Sequence, residues 1–297
     1  MIKLTDRRFV LLLLAPAGCF LVIFVAYPLL LLLRNSFYEV SLYALNDGVY
    51  VGWDNFVKAL SSPRVRESAG RTLNYTLIAL SAEFVLGFGA ALLFNALGKR
   101  SEILRTIFAF PLMIPPIVAG LLWRFMLIDN IGIVNHILET LGIIGDASDI
   151  SWLGDRDLVL FSVALPNIWL TTSFVALVLY TGLQNIPAEL IEAAKIDGAN
   201  NWQRFHRVTV PLLRPVIAVV LILRGIDAAR AFDMIWIQTE GGPRFASEIL
   251  SIHIYRAMIR YGNVGEASAI ATLFMLGMVL ASALAFYVIW GRGSSQS

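Results

Sequence analysis

The sequence predicts an all-α membrane protein of six transmembrane helices, and three observations lead there. Of 297 residues, 58% are hydrophobic and only 15% charged, and the mean hydropathy is +0.74; a soluble domain is nearer half apolar and a quarter charged. Several apolar runs reach the roughly 20 residues that a helix needs to cross hydrocarbon. The chain also has none of the chemistry of the competing classes. One Cys, three His and a net charge of +2 do not make a disulfide-stapled module or a basic nucleic-acid binder, and the apolar content excludes a disordered chain.

Taken in order, residues 9–33, 158–183 and 267–290 carry no charge at all, and 72–97 carries only Glu83. Residues 106–128 form a further span with Arg124 near its end and with Pro111, Pro115 and Pro116 interrupting it, which suits a broken helix. The fifth span, 212–232, is the least regular. Beyond Leu223 it meets Arg224, Asp227, Arg230 and Asp233 at three-residue steps. Lys3, Arg7 and Arg8 before the first span suggest a signal peptide, and Ala15 to Cys19 suggests a lipoprotein cleavage box. Pro16 is wrong for such a box, however, and the apolar run continues fourteen residues past Cys19, so a retained span is expected. No internal repeat or low-complexity tract is visible, and a single membrane domain is expected over 1–297.

Orientation follows from the basic residues. With the N-terminus inside, the inner segments hold eleven Lys and Arg in 54 residues and the outer ones eleven in 110, while acids divide five against fifteen. Both termini are therefore expected in the cytoplasm, placing 184–214 there too.

That segment carries the punctuation of two short helices. Pro187 can open the first, Ile186, Leu190, Ile191 and Ala194 keep helical spacing, and Gly198 can supply the left-handed residue that closes it. A second begins at Ala199, with Trp202, Phe205 and Val208 three residues apart, before Pro211 and Pro215. Periodicity alone also fits an amphipathic connector lying on lipid headgroups.

The string Glu192-Ala193-Ala194-Lys195-Ile196-Asp197-Gly198-Ala199, followed by Phe205, Val208, Val210-Pro211 and Pro215, resembles the EAA coupling motif of permease subunits in bacterial ATP-binding-cassette importers, in the carbohydrate branch that includes the maltose and glycerol-3-phosphate permeases. The resemblance extends to Leu183-Gln184-Asn185-Ile186-Pro187, Phe232-Asp233, Thr239-Glu240-Gly241-Gly242-Pro243 and Tyr261-Gly262, and it covers about 72–290. Val208 and Val210 stand where Ile and Leu are common, and Ser247 sits near a usual Thr.

The resemblance implies a type I importer permease fold with 184–214 as a cytoplasmic coupling hairpin seated in a groove of a separate ATPase subunit. Its coupling residues are then Glu192, Ala193, Ala194, Asp197, Gly198, Trp202 and Phe205. Ala193 and Ala194 keep one face small, Gly198 leaves room at the joint, and Glu192 pairs with an arginine of the partner. Asp197 is expected to organise the turn rather than touch the partner. The implied assembly contains a second permease subunit, two ATPase subunits holding Mg-ATP, an extracytoplasmic solute-binding protein and surrounding lipid, in a bacterial or archaeal cytoplasmic membrane, with alternating access as the mechanism. This chain itself has no cofactor and no catalytic residue in that reading.

The residues agree. No phosphate-cradling G-x-x-x-x-G-K-[ST] loop occurs, since Gly98-Lys99 is followed by Arg100. His136, His206 and His253 form neither a metal pair nor a nucleophilic triad.

For a substrate pathway the candidates are Glu83, Asn167, Trp169, Thr172, Arg224, Asp227, Arg230 and Asp233, because polar groups in a membrane face a cavity or each other. The charged stripe either neutralises itself and pins packing or lines a watery route. Asn167, Trp169, Thr171, Thr172 and Ser173 either bond a sugar or glue helices. Trp152, Asp146, Asp149 and Asp155 belong to the outer face, as a docking surface or as simple solubilising polarity. Two other classes compete: an ion-gradient-driven secondary transporter, for which only Glu83 speaks, and a membrane scaffold or receptor. Among disaccharides, longer oligosaccharides, uronic-acid polymers and glycerol phosphate the residues do not choose the cargo.

Overall fold

The computed structural model describes residues 7–291. The expected cytoplasmic placement of the termini rests partly on Lys3 and Arg292, which lie outside the described residues. Along the chain run helices α1 (Arg7–Leu21) and α2 (Tyr27–Asn35), strands β1 (Tyr38–Ser41) and β2 (Ala44–Tyr50), then α3 (Asp54–Ser61), α4 (Pro63–Leu97), α5 (Glu102–Ala109), α6 (Pro116–Met126), α7 (Ile133–Thr140) and α8 (Val159–Ser162). There follow α9 (Leu165–Gln184), α10 (Ala188–Ile196), α11 (Asn201–Arg204), α12 (Val210–Ala229), α13 (Asp233–Thr239), α14 (Leu250–Tyr255) and α15 (Val264–Gly291).

Among the described residues five helical runs are long and apolar enough to cross a membrane: Leu13–Asn35, Pro63–Met113, Leu165–Gln184, Asn201–Thr239 and Val264–Val288. The expected third span, 106–128, is not one helix. It is divided between the end of the second run and the shorter apolar α6, because the chain turns extended at Ile114 and Pro115 (ψ 127° and 139°) before Pro116 starts a new helix. Proline removes an amide donor and disfavours helical backbone in the residue before it, so this Pro115-Pro116 pair cuts the ladder.

Two widened π-turns have the same cause. Val22–Ala26 and Phe205–Thr209 each close on an amide donating five residues back, Tyr27 to Val22 and Val210 to Phe205, and in each case the next residue is proline, Pro28 or Pro211. A proline ring crowds the carbonyl four residues earlier, and one extra residue in the turn relieves that contact.

The chain divides into two compact units, 1–66 with 253–276 and 67–252 with 277–297, the outermost residues at either end excepted from description. The first contains an antiparallel hairpin that hydropathy does not anticipate, with Tyr38 opposite Tyr50 and a bulge between Glu39 and Ser41. Buried Asn55 holds its base by donating to Ser36 O at 3.1 Å and Tyr38 O at 2.9 Å. Phe37, Trp53 and Phe56 pack around it at 5.1–5.2 Å. Gly265 sits so close that a Cβ would lie 2.2 Å from Tyr38 O, so only glycine fits there. No residue of the Leu13–Asn35 window is buried within the chain, though Leu31, Leu32 and Leu33 are half-buried, which leaves most of its apolar surface exposed.

The second unit is organised around α9, of which 61% is buried. On one side α4 presents Tyr75, Ala79, Glu83, Gly87 and Ala91 at four-residue steps, which keeps them on one face. Gly87 lets α9 approach so closely that a Cβ would meet Val175 at 2.7 Å. Tyr75, Ala79, Val159, Val163, Ile168, Ala228 and Ile235 form one core cluster, and Ala91, Val175, Leu179, Leu213 and Val220 a second toward the 188–204 hairpin. On another flank α6 packs on α13 through Gly120.

Candidate functional site

The first assembly of functional side chains lies inside the second unit. Glu83 of α4 is wholly buried and accepts from Arg224 Nε at 2.9 Å and from a second guanidinium nitrogen at 3.2 Å. Arg224 also reaches Asn167 Oδ1 at 3.4 Å and Asp227 at 3.3 Å, and Asp227 in turn takes Arg230 at 2.6 Å. The network runs from interior to surface. The Glu83 and Arg224 side chains are 0% and 8% exposed, Asp227 and Arg230 41% and 66%. A bidentate guanidinium–carboxylate pair is the geometry that best offsets the cost of burying two charges.

This arrangement corrects the expected stripe in one member. Arg224, Asp227 and Arg230 pair as their three-residue spacing predicts, but Asp233 makes no ion pair among the described residues. The helix ends at Ala229, Arg230 turns to ψ 10° and Phe232 adopts φ −141°, so Asp233 starts a new helix instead of extending the old face. Its place as second carboxylate is taken by Glu83, 141 residues away in sequence. The network thus accounts for Glu83 without an ion-coupling role.

The polar face expected on α9 is dispersed. Asn167 joins the network and Thr171 borders Glu83. Trp169, two residues on and so about 200° round the helix, packs edge-on to Trp123 of α6 at 6.4 Å. Thr171 and Thr172 return their hydroxyls to Asn167 O and Ile168 O at 2.6 Å each, and Ser173 gives its own to Phe108 O. Thr171 and Thr172 thus use their one donor on the carbonyl a turn back and keep only acceptor capacity. Tyr75, one of the largest fully buried side chains, was not singled out from sequence. Its hydroxyl is buried beside the Asn167 side chain. The signal was available: Tyr75 and Glu83 are eight residues apart, on one face.

The second assembly is the hairpin of α10 and α11. It is closed by Gly198 at φ +81°, with Asp197 N donating to Ala193 O, Gly198 N to Lys195 O and Ala199 N to Ala194 O at 2.9–3.1 Å. The last, a six-residue bond, is the signature of a glycine-terminated helix. Pro187 stands at the cap of α10, and α11 starts at Asn201 rather than Ala199. The turn is organised by Asn200, not by the Asp197 carboxylate. Asn200 Oδ1 accepts from Gln203 N, and Gln203 Oε1 accepts from Asn200 N, both at 2.9 Å, a reciprocal capping box. Asp197 makes no side-chain bond among the described residues.

Nothing on α10 is buried. Glu192 and Ala193 are exposed and Glu192 has no ion-pair partner among the described residues, while Ile196 and Trp202 are 85% and 70% exposed. Phe205 instead faces inward onto Phe88 of α4 at 5.7 Å, so the hairpin is anchored at one aromatic and open at the other. Beside it lies a cleft of about 390 Å³ lined by Asn95, Leu183, Gln184, Ile186, Ala188, Ile191, Glu192 and Thr209. Gln184 Nε2 bonds Asn95 Oδ1 across its floor at 2.7 Å.

The third region is the 129–157 loop, built on buried Asn135. Its Nδ2 donates to Ala147 O at 2.7 Å and Ile150 O at 2.8 Å, and its Oδ1 accepts from Trp152 Nε1 at 2.6 Å. The acids here are structural. Asp149 takes the amides of Gly145 and Asp146, Asp155 those of Asp157 and Leu158, and Asp129 the Ser151 hydroxyl. The hydroxyl and amide of Ser148 hold the Asp146 carboxyl below the usual carboxylate range. The 239–247 loop is equally local. Glu240 and Gly241 turn at φ 51° and 89°, the Gly242–Pro243 peptide is cis, and Ser247 bridges the Thr239 hydroxyl and Gly242 O. Among the described residues no three His, Cys, Asp or Glu are grouped to hold a metal ion.

Comparison with known proteins agrees with this geometry. The chain is 34% identical to the sulfoquinovosyl glycerol transport system permease of Agrobacterium fabrum, over 93% of this chain and 89% of that one. It is 36% identical to the trehalose/maltose transport system permease of Thermococcus litoralis, over 81% and 78% respectively. Its fold is that of a bacterial alginate importer solved in complex with an alginate pentasaccharide-bound periplasmic protein, with a TM-score of 0.81, 22% identity and coverage of 96% and 94%. Residues 83–293, which hold the ion network and the hairpin alike, match one family in particular. The chain belongs to the binding-protein-dependent transport system inner membrane components, the permeases of ATP-binding-cassette importers.

Proposed function

We propose that this chain is one permease half of an ATP-driven importer for a sugar, oligosaccharide or related polyol. The observation that carries the reading is the hairpin: an exposed Glu192-Ala193 face and exposed Ile196 and Trp202 on a cap whose fold is fixed by Gly198 and Asn200. An unpaired acid beside bare apolar side chains suits a protein groove. The groove belongs to an ATPase subunit that holds Mg-ATP, one for each permease, and a second permease completes the pathway. The hairpin side is cytoplasmic and a solute-binding protein delivers cargo at the other face. The sugar named for two relatives' transport systems supports the cargo class.

The mechanism is alternating access. ATP-driven approach of the two ATPases moves both hairpins, and Phe205 against Phe88 passes the displacement to α4 while the Phe205–Thr209 turn passes it to α12. ATP acts by favouring the outward-open state over the inward one, since only differential stabilisation shifts such an equilibrium. Asp227 and Arg230 line the route with paired acceptors and donors for hydroxyl groups.

The test is to purify the chain with its associated subunits and measure vanadate-sensitive ATP hydrolysis stimulated by the loaded binding protein. Glu192→Lys is expected to abolish ATPase association while leaving membrane insertion intact. Transport driven by a proton or sodium gradient without any ATPase overturns the proposal.

A further inference from the structure

One arginine at the edge of the second unit is held without a counterion. Arg105 of α5 makes no hydrogen bond or ion pair among the described residues, and its Nε is buried without an acceptor there. Glu102 stands three residues before it on the same helix, a spacing that permits an ion pair. The guanidinium turns instead onto the Tyr180 ring of α9, 4.7 Å from its centre. Buried Phe94 of α4 sets its ring edge-on to Tyr180 at 6.2 Å and to Phe108 at 5.5 Å, and Ser173 of α9 bonds Phe108 O. Three helices therefore fix the cation where it stands.

Its depth is legible from its neighbours. The 98–101 turn carries Lys99 and Arg100, both exposed, and Arg105 follows Ser101 by four residues, about 6 Å along a helix. The polar layer of one leaflet is about that thick. At the same level the surface turns apolar, with Ile103, Leu104 and Ile107 45–74% exposed. Arg105 thus lies where headgroup phosphates meet hydrocarbon. A charge there is costly without a partner of opposite sign, and the segment itself has none to spare: over 98–105, three bases stand against one acid, a formal charge of +2. Phosphate matches a guanidinium in both charge and fork geometry.

We propose that Arg105, with Lys99 and Arg100, forms a binding site for the phosphate of an anionic phospholipid in the leaflet on the hairpin side. The phosphate accepts from the Arg105 fork while Tyr180 holds that fork from behind. The two exposed bases of the turn favour a headgroup of net negative charge over a zwitterionic one. A bound lipid braces α5 against the end of α9 that leads into the hairpin, and the site is independent of which solute is carried.

The test is native mass spectrometry of the complete transporter in detergent, titrated with phosphatidylglycerol and with phosphatidylcholine of the same acyl chains. Phosphatidylglycerol is expected to bind more tightly. Arg105→Gln weakens its tightest site about tenfold, the loss of one charge-assisted pair, and Arg105→Lys, which keeps the charge but not the fork, weakens it less. Lys99→Gln combined with Arg100→Gln narrows the preference for phosphatidylglycerol. Those two side chains are exposed, so the double variant assembles even where Arg105→Gln does not, and an unchanged preference in it overturns the proposal. Equal phosphatidylglycerol affinity in Arg105→Gln and the unaltered transporter overturns it as well. Displacement of the lipid by inorganic phosphate does the same, since it marks a site for a soluble anion. So does an Ile103→Cys thiol, in a Cys19→Ser background, that an amine-directed cross-linker joins in high yield to another subunit, because protein then covers the face.

Discussion

Replacing Glu83 by Gln tests the ion network directly. The substitution keeps volume and one acceptor but removes a charge from a site that is 0% exposed, opposite an Arg224 side chain that is 8% exposed. Breaking a buried pair by neutralising one partner costs about 3–5 kcal/mol, because the other charge stays buried. Asp227 remains 3.3 Å from Arg224 and is itself 41% exposed, so it relieves part of that penalty; the lower end, about 3 kcal/mol, is expected. Arg224→Met strands Glu83, which pairs with no other cation among the described residues, and costs about 4 kcal/mol by the same reasoning. The double variant removes both charges and leaves Asp227–Arg230 intact. It is therefore expected to be more stable than either single variant, since the dominant cost is an unpaired charge rather than a lost bond. Unfolding of the purified chain in mixed micelles by sodium dodecyl sulfate, followed by tryptophan fluorescence, gives the three free energies. A double variant that loses the sum of the single losses refutes the coupling, and a Glu83→Gln loss below about 1 kcal/mol refutes the burial argument.

Four further outcomes are expected. Gly198→Ala costs about 1–2 kcal/mol from backbone strain alone, because φ is +81° and the space is open; Gly198→Asn is milder, and the quantity of co-purified ATPase follows the same order. Gly120→Ala places a Cβ 2.6 Å from Ile237 Cγ2 and 2.9 Å from Met234 Cα, so α6 and α13 must separate at about 1–3 kcal/mol. Gly89→Ala, with nothing within 4 Å, is neutral or slightly stabilising in thermal melts. Asn135→Ala removes three buried hydrogen bonds and costs about 2–4 kcal/mol locally, which hydrogen exchange reads as loss of protection confined to 145–152.

The outer-loop acids show what composition cannot say. Asp146, Asp149 and Asp155 read from sequence as a docking surface or as solubilising polarity; in the structure their oxygens cap turns, so neither reading describes them fully. The hairpin was legible almost residue by residue, since Gly198 closes a helix through bonds made within six residues. The capping spacing of Asn200 and Gln203 is written in the sequence, but Asp197 offers a rival explanation for the same turn, and only the backbone decides between them.

The sequence by itself determined that the chain lives in a membrane, where its apolar runs fall, where prolines break them, and that a helical hairpin interrupts them. These are local matters: transfer of side chains from water and hydrogen bonds to near neighbours are fixed by residues a few positions apart. Tertiary structure alone decided that Arg224 takes Glu83 rather than lying only between neighbours on its own helix, that Asp233 leaves the stripe, and that Trp169 turns from Asn167 toward Trp123. Those outcomes depend on the rotation of each helix about its axis and on how closely a glycine such as Gly87 lets the next one approach. Periodicity names a face but not the neighbour it meets.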